Sequence, residues 1–198
     1  PTQHITTSYN GAVKGKIKNV MLFTDSILKN LRMVEFNDHV KNGKVDLKAF
    51  PGAQANQLIN RSRPVLEGNN YDVGVIHVGV NDLLNRRHLN DDVLSEICDD
   101  IINMGIRCRN YNIGTIFISG IAYSTRIDIY FLNRLNKMLQ ESCTINGFFF
   151  IDNGAVCEQD LWEDGIHLED SGKNIIANNV INNLNHFLFM TKHLVWNI

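Results

Sequence analysis

The stretch Asp164-Gly165-Ile166-His167 places a carboxylate and an imidazole three residues apart. At this spacing the Asp164 carboxylate can reach back across one turn to the ring nitrogen of His167 that faces away from a reacting group. A serine hydroxyl becomes a nucleophile at neutral pH when a positioned base removes its proton and a third group orients that base. Ser26, far upstream, supplies such a hydroxyl. Together the three residues predict serine-hydrolase chemistry.

Three positions are candidates for holding the oxyanion that forms when an ester carbonyl is attacked. Ser26 lies between an apolar strand and an apolar helix, where it could cap the helix or offer its backbone N–H to the oxyanion. Gly52 is either a turn glycine or a point where backbone approaches a substrate closely. Asn81 is either a turn residue or a side-chain donor. We expect the neighbouring Asp82 to brace its loop and not to react.

Short apolar runs alternate with longer stretches of helical periodicity, which predicts parallel strands joined by crossover helices. Strands are predicted over residues 16–23, 44–50, 73–78, 115–119 and 148–151. Helices are predicted over residues 27–40, after Gly52 with a break near Pro64, from Asp91, around residues 129–139, and from Ser171, whose hydroxyl is expected to cap the last helix.

Five such β-α units predict an α/β protein, a three-layer α/β/α sandwich with a five-stranded parallel sheet. We expect a single domain over residues 1–198, with residues 1–15 as a surface arm. In such sheets ligands bind outside the carboxyl ends of the strands. The candidate residues follow the first, second, third and fifth strands in turn, so they all fall at that edge: Ser26, Gly52, Asn81, and Asp164 with His167.

Other histidines and the cysteines offer no second site. His77 lies inside a predicted strand and is expected to be a core residue, and no other histidine has a carboxylate at a triad-like spacing in a loop at this edge. The four cysteines have no C-x-x-C spacing and are expected to be free thiols: Cys98, Cys108, Cys143 and Cys157. We therefore expect no metal site and no cofactor.

Composition and net charge indicate which kinds of binding partner the chain is expected to have. The chain has 198 residues, 44% hydrophobic and 20% charged, with a formal net charge of -2, as in ordinary globular proteins. This charge does not indicate a nucleic-acid footprint, although local arginine pairs remain possible contact points: Arg61/Arg63, Arg86-Arg87 and Arg107/Arg109. No apolar run reaches membrane-spanning length, so we expect no membrane partner. Cysteine usage favours an intracellular, reducing compartment, and the start at Pro1 suggests an excised domain or a processed product.

The motifs resemble the SGNH or GDSL-like hydrolases, named for Ser, Gly, Asn and His residues in separate blocks. The resemblance runs, in family order, through Thr24-Asp25-Ser26-Ile27, Gly52, Gly79-Val80-Asn81-Asp82 and Asp164-Gly165-Ile166-His167. It implies a flavodoxin-like fold and a nucleophilic Ser26. It also implies that His167 is the general base, oriented by Asp164, and that the oxyanion hole is built from Ser26, Gly52 and Asn81.

One residue departs from the family pattern, because Thr24 stands where the family usually has Gly. If that position required a positive φ, Thr24 would be strained by about one to three kcal/mol. Tyr123 and Trp162 are candidate walls of the substrate pocket, although both could serve packing alone.

Two classes of function remain open. The first is an esterase that cleaves small, acetyl-type carboxylic esters through an acyl-serine intermediate. The second is a binding module for RNA or protein on the same scaffold, as in family relatives that lack the triad. An esterase domain of a retroelement-type protein, in which nucleic-acid association is possible for the parent chain, is a related alternative.

Overall fold

The computed structural model describes residues 18–194, and the side chains up to residue 189. The predicted surface arm, residues 1–15, lies outside the described part. Within it, five strands form one sheet in which every neighbouring pair is parallel. The strands lie in the order β2-β1-β3-β4-β5, and their bounds are Lys18–Thr24 (β1), Gly43–Ala49 (β2), Val73–His77 (β3), Thr115–Ser119 (β4) and Phe149–Ile151 (β5).

Helices connect the strands: Met33–His39 (α1), Ala55–Arg61 (α2), Arg63–Glu67 (α3), Val80–Leu84 (α4), Asp91–Asn110 (α5), Ile129–Asn146 (α6) and Asp170–Leu194 (α7). A short 3₁₀ turn spans Glu158–Asp160. Helix α5 packs against α2 and α6, whereas α1 packs against α7, so helices cover both faces of the sheet. The predicted α/β/α sandwich with a five-stranded parallel sheet is confirmed. No helix of the described residues is long and apolar enough to cross a membrane.

The central strands are apolar because both of their faces are covered. All five residues of β3 are buried, and so are the last five of β1.

Side-chain caps fix the residues at which the two long helices α5 and α6 begin. The Asn90 side chain accepts the backbone N–H of Val93 at 2.9 Å to start α5, and Asp128 accepts that of Tyr130 at 2.8 Å to start α6.

Two helix predictions differ from the structure, and one helix was not predicted. The first helix begins at Met33 and not at Ile27, because residues 26–30 form a turn in which the Asp25 carboxyl accepts the Ile27 N–H. The last helix begins at Asp170, so Ser171 lies inside the first turn and is not the N-cap. Helix α4 was not predicted, since its Gly79-Val80-Asn81 start resembles a turn.

Candidate active site

Ser26 lies at the carboxyl end of β1, on the turn that replaces the expected helix start. The residues before it, Thr24 and Asp25, are buried, and Ser26 itself is half-buried. Within residues 18–194, no acceptor takes the backbone N–H of Ser26. The turn therefore presents both the Ser26 hydroxyl and its N–H at the edge of the sheet.

Asp164 and His167 lie on a small hairpin that the sequence did not predict. Its two arms meet at an antiparallel bridge between Leu161 and Leu168, and the Trp162 N–H donates to the His167 carbonyl at 2.8 Å. The turn is closed by the Gly165 N–H, which donates to the Trp162 carbonyl at 2.9 Å, and Gly165 has a φ of 70°. A glycine adopts this left-handed conformation without steric cost.

The structure brings Ser26, His167 and Asp164 into one hydrogen-bonded line. The His167 Nε2 lies 3.3 Å from the Ser26 Oγ, and the His167 Nδ1 lies 2.7 Å from the Asp164 Oδ2. The other Asp164 oxygen accepts the backbone N–H groups of Ile166 and His167, both at 2.9 Å. These bonds, chiefly the one from the His167 side chain, lower the pKa of Asp164 to about 2. Asp164 is thus a carboxylate that holds the His167 ring with Nε2 towards Ser26.

Gly52 lies in the loop after β2, and Asn81 lies in the first turn of α4, after β3. Pro51 and Gly52 are the central residues of a turn closed by the Ala53 N–H and the Phe50 carbonyl at 3.0 Å, and Gly52 has a φ of 72°. The Asn81 Nδ2 donates to the Ala53 carbonyl at 3.2 Å. Asn81 therefore also fastens the loop that carries Gly52.

Asp82 lies in α4 and bonds the start of α2, and not, as expected, a loop of its own. Both of its carboxyl oxygens lie 3.1 Å from the Ala55 N–H at the start of α2. Burial raises the pKa of Asp82 to about 6. Since Asp82 is turned towards the start of α2, it is a structural carboxyl and not a second base.

Asp25 is a buried carboxyl beside Ser26, and it was not among the site residues predicted from the sequence. Its Oδ1 accepts the Ile27 N–H at 2.9 Å, and its Oδ2 lies 3.5 Å from the Asn81 Nδ2. Burial raises the pKa of Asp25 to about 7, and the nearby Asp82 adds to this effect. Its position immediately before the serine was the available signal.

Thr24 has ordinary strand geometry. It pairs with Ala49 and His77 on either side, and the only non-glycine residues with positive φ in the described part are Asn42 and Asn112. The conditional expectation of strain at Thr24 therefore does not apply. However, the Thr24 hydroxyl is buried and has no hydrogen-bond partner among the described residues.

His77 is a core residue, and this prediction is confirmed. It is buried, its Nδ1 lies 3.0 Å from the Ser119 Oγ, and burial lowers its pKa to about 4. Ser119 in turn accepts the Asn153 side chain at 2.9 Å. His77 thus belongs to a buried polar network and does not compete with His167.

Of the two aromatic candidates, Trp162 lies beside His167, whereas Tyr123 lines a small cavity next to Asp25. Trp162 is 48% exposed, and its ring centre lies 6.2 Å from that of His167. Tyr123 is half-buried and helps to line a cavity of about 10 Å³ together with Asp25, Ile27 and Ile166. Contact of either residue with a substrate stays a prediction.

Solved structures share this arrangement of strands and helices. A GDSL-like lipase from Bacteroides thetaiotaomicron matches with a TM-score of 0.70 and 16% identity, over 86% of this chain and 89% of its own. A catalytic mutant of an acetylxylan esterase from Geobacillus stearothermophilus matches with a TM-score of 0.70 and 14% identity, over 86% and 95%. A lipase/acylhydrolase from Enterococcus faecalis matches with a TM-score of 0.67 and 17% identity, over 85% of this chain and 96% of its own.

No protein-family model matches the sequence, and neither does any curated protein. At these low identities, the similarity to solved structures establishes the architecture alone. In this architecture the four motif blocks follow strands of the sheet in the order in which they occur along the chain. The chain therefore has the SGNH hydrolase fold.

Proposed function

We propose that this protein is a serine esterase that hydrolyses small carboxylic esters through an acyl-serine intermediate. The observation that carries the proposal is the line from the Ser26 Oγ through the His167 imidazole to the Asp164 carboxylate, with contacts of 3.3 and 2.7 Å. A hydroxyl, an imidazole and a carboxylate in this order form the arrangement that activates serine for attack.

In the first half of the reaction, the Ser26 Oγ attacks the ester carbonyl while its proton passes to the His167 Nε2. The negative charge on the carbonyl oxygen would be held by the N–H groups of Ser26 and Gly52 and by the Asn81 amide. The tetrahedral intermediate then collapses, and His167 returns the proton to the departing alcohol. Asp164 remains a carboxylate and stabilises the protonated imidazole.

In the second half, His167 removes a proton from water, which attacks the acyl-serine carbonyl. Collapse of this second intermediate returns the proton to the Ser26 Oγ and releases the carboxylic acid. The balance is one ester and one water consumed, with one alcohol and one acid formed, so the reaction requires no cofactor.

Acetyl esters are the first substrates to test for this activity. One structural neighbour is an acetylxylan esterase, which favours a small acyl group in this proposal. The cavity of about 10 Å³ lined by Asp25, Ile27 and Ile166 does not have Ser26 or His167 in its walls, so its size does not measure the space for the acyl group.

A fluorophosphonate probe tests the activated serine without any assumption about the substrate. We expect the wild-type protein and Ser95→Ala to be labelled, since Ser95 is an exposed serine of α5. Ser26→Ala should not be labelled, because the probe forms its bond with the Ser26 hydroxyl. Labelling of Ser26→Ala, or no labelling of the wild type, would contradict the proposal, and a binding module would then become the leading interpretation.

A further inference from the structure

The loop between β4 and α6 holds the tip of the hairpin that carries Asp164 and His167. Ser124, in this loop, is 1% exposed, and its hydroxyl donates to the Gly165 carbonyl at 2.7 Å. The backbone N–H of Thr125 donates to the same carbonyl at 3.0 Å. The Ser124 Oγ also accepts the Arg126 N–H at 3.2 Å, which fixes the direction in which the hydroxyl points.

The position of Gly165 makes this contact relevant to the triad. Gly165 follows Asp164 directly and precedes His167 by two residues, so its peptide groups set the direction of both side chains. Gly165 is buried, and a Cβ built on it would collide with the Thr125 side chain. The tip of the hairpin thus lies directly against the loop of residues 124–126, with the Gly165 backbone packed against the Thr125 side chain.

The two ends of the hairpin are held by different contacts. Its base is fixed by the Leu161–Leu168 bridge and by the Trp162 N–H bonded to the His167 carbonyl. The turn at Gly165 is closed by a bond within the hairpin, from the Gly165 N–H to the Trp162 carbonyl at 2.9 Å, which does not join it to the rest of the protein. The bonds from Ser124 and Thr125 join the turn to the neighbouring loop, and they thereby help to set the distance from the His167 Nε2 to the Ser26 Oγ.

We propose that Ser124 is a positioning residue for the catalytic pair, acting through its buried hydrogen bond to the Gly165 carbonyl. This proposal rests on the proposed esterase function of the same site. The Ser26–His167 contact of 3.3 Å is already at the long end for a hydrogen bond, so a small outward shift of the hairpin would break it. A misplacement of about 1 Å can reduce the rate by about a hundredfold.

The test compares Ser124→Ala with Ser124→Thr, which keeps a hydroxyl, and with Ser62→Ala as the matched control. Ser62 is equally buried, and its hydroxyl donates to the Ile59 carbonyl at 3.3 Å, at the junction of α2 and α3. For each variant, kcat and KM are measured on 4-nitrophenyl acetate, together with thermal unfolding and the NMR signals of the His167 imidazole.

We expect Ser124→Ala to lower kcat about tenfold or more with KM changed less than about twofold, and to shift the His167 signals. Ser124→Thr should recover most of the rate. Ser62→Ala should lose comparable thermal stability with kcat and the His167 signals unchanged. Equal kcat values for Ser124→Ala and wild type, or equal losses in Ser124→Ala and Ser62→Ala, would overturn the proposal.

The two proposals fail in different ways. A wild-type protein without esterase activity would contradict the proposed function, and the NMR signals of His167 would still report whether Ser124 positions the ring. An active wild type with unaltered His167 signals in Ser124→Ala would contradict the positioning role alone.

Discussion

Replacing Asn81 by alanine separates stabilisation of the oxyanion from activation of the serine. The Asn81 side chain is half-buried, lies next to the loop of Gly52 and is not part of the Ser26–His167–Asp164 line. Asn81→Ala therefore removes one of the proposed oxyanion donors and leaves the proposed nucleophile and base in place. Loss of one such donor reduces kcat by about a hundred- to a thousandfold, which corresponds to roughly 2.7–4 kcal/mol.

The structure adds a second, smaller effect of the same substitution. The Asn81 amide also donates to the Ala53 carbonyl at 3.2 Å, and losing a hydrogen bond of this kind costs about 1 kcal/mol of folding free energy. Asn69→Ala is a suitable control for this effect, because Asn69 donates to the Val65 carbonyl at 2.9 Å, in α3. Both variants should lose stability, whereas only Asn81→Ala should lose turnover.

The assay is steady-state hydrolysis of 4-nitrophenyl acetate, with stability measured by urea unfolding. We expect KM to change much less than kcat in Asn81→Ala, since the donor acts on the transition state. A kcat within about twofold of the wild-type value would show that Asn81 only fastens the loop that carries Gly52, and the three-donor oxyanion hole would be wrong.

Two further predictions concern the residues before the nucleophile. Because Thr24 has strand geometry, Thr24→Gly should lower the free energy of unfolding by about 1 kcal/mol or more, whereas Thr24→Val, which replaces an unpaired hydroxyl by a methyl group, should raise it by about 1–2 kcal/mol. Urea unfolding measures both, and a destabilised Thr24→Val would show that the hydroxyl is bonded in solution. Because the pKa of Asp25 is raised to about 7, the folded state binds more protons than the unfolded state between pH 4 and pH 7, so ionisation of Asp25 destabilises the protein as the pH rises through that range. His77 acts in the opposite direction, its pKa being lowered to about 4, so the wild-type curve alone does not isolate Asp25. The stability of Asp25→Asn relative to wild type should therefore increase by a few kcal/mol from pH 4 to pH 8, and a pH-independent difference would refute the assignment.

Local sequence pattern was sufficient for the architecture and for the residues of the candidate triad. The apolar run at residues 73–78 predicted a strand, and in the structure this strand is buried on both faces because helices cover both sides of the parallel sheet. The periodicity after Asp91 predicted α5, which begins at that residue. Since carboxyl ends of parallel strands share one edge, the order of the motif blocks placed Ser26, Asn81 and His167 together.

Tertiary structure decided the features that depend on contacts between distant residues. The hydrogen bond from Ser124 to Gly165 joins residues 41 positions apart in the sequence, and the hydrogen bonds between Asp82 and Ala55 join residues 27 positions apart. No local periodicity records such pairs, because each partner alone resembles an ordinary loop residue. The raised pKa of Asp25 likewise follows from burial beneath the nucleophile, which depends on how the sheet and the loops pack around it.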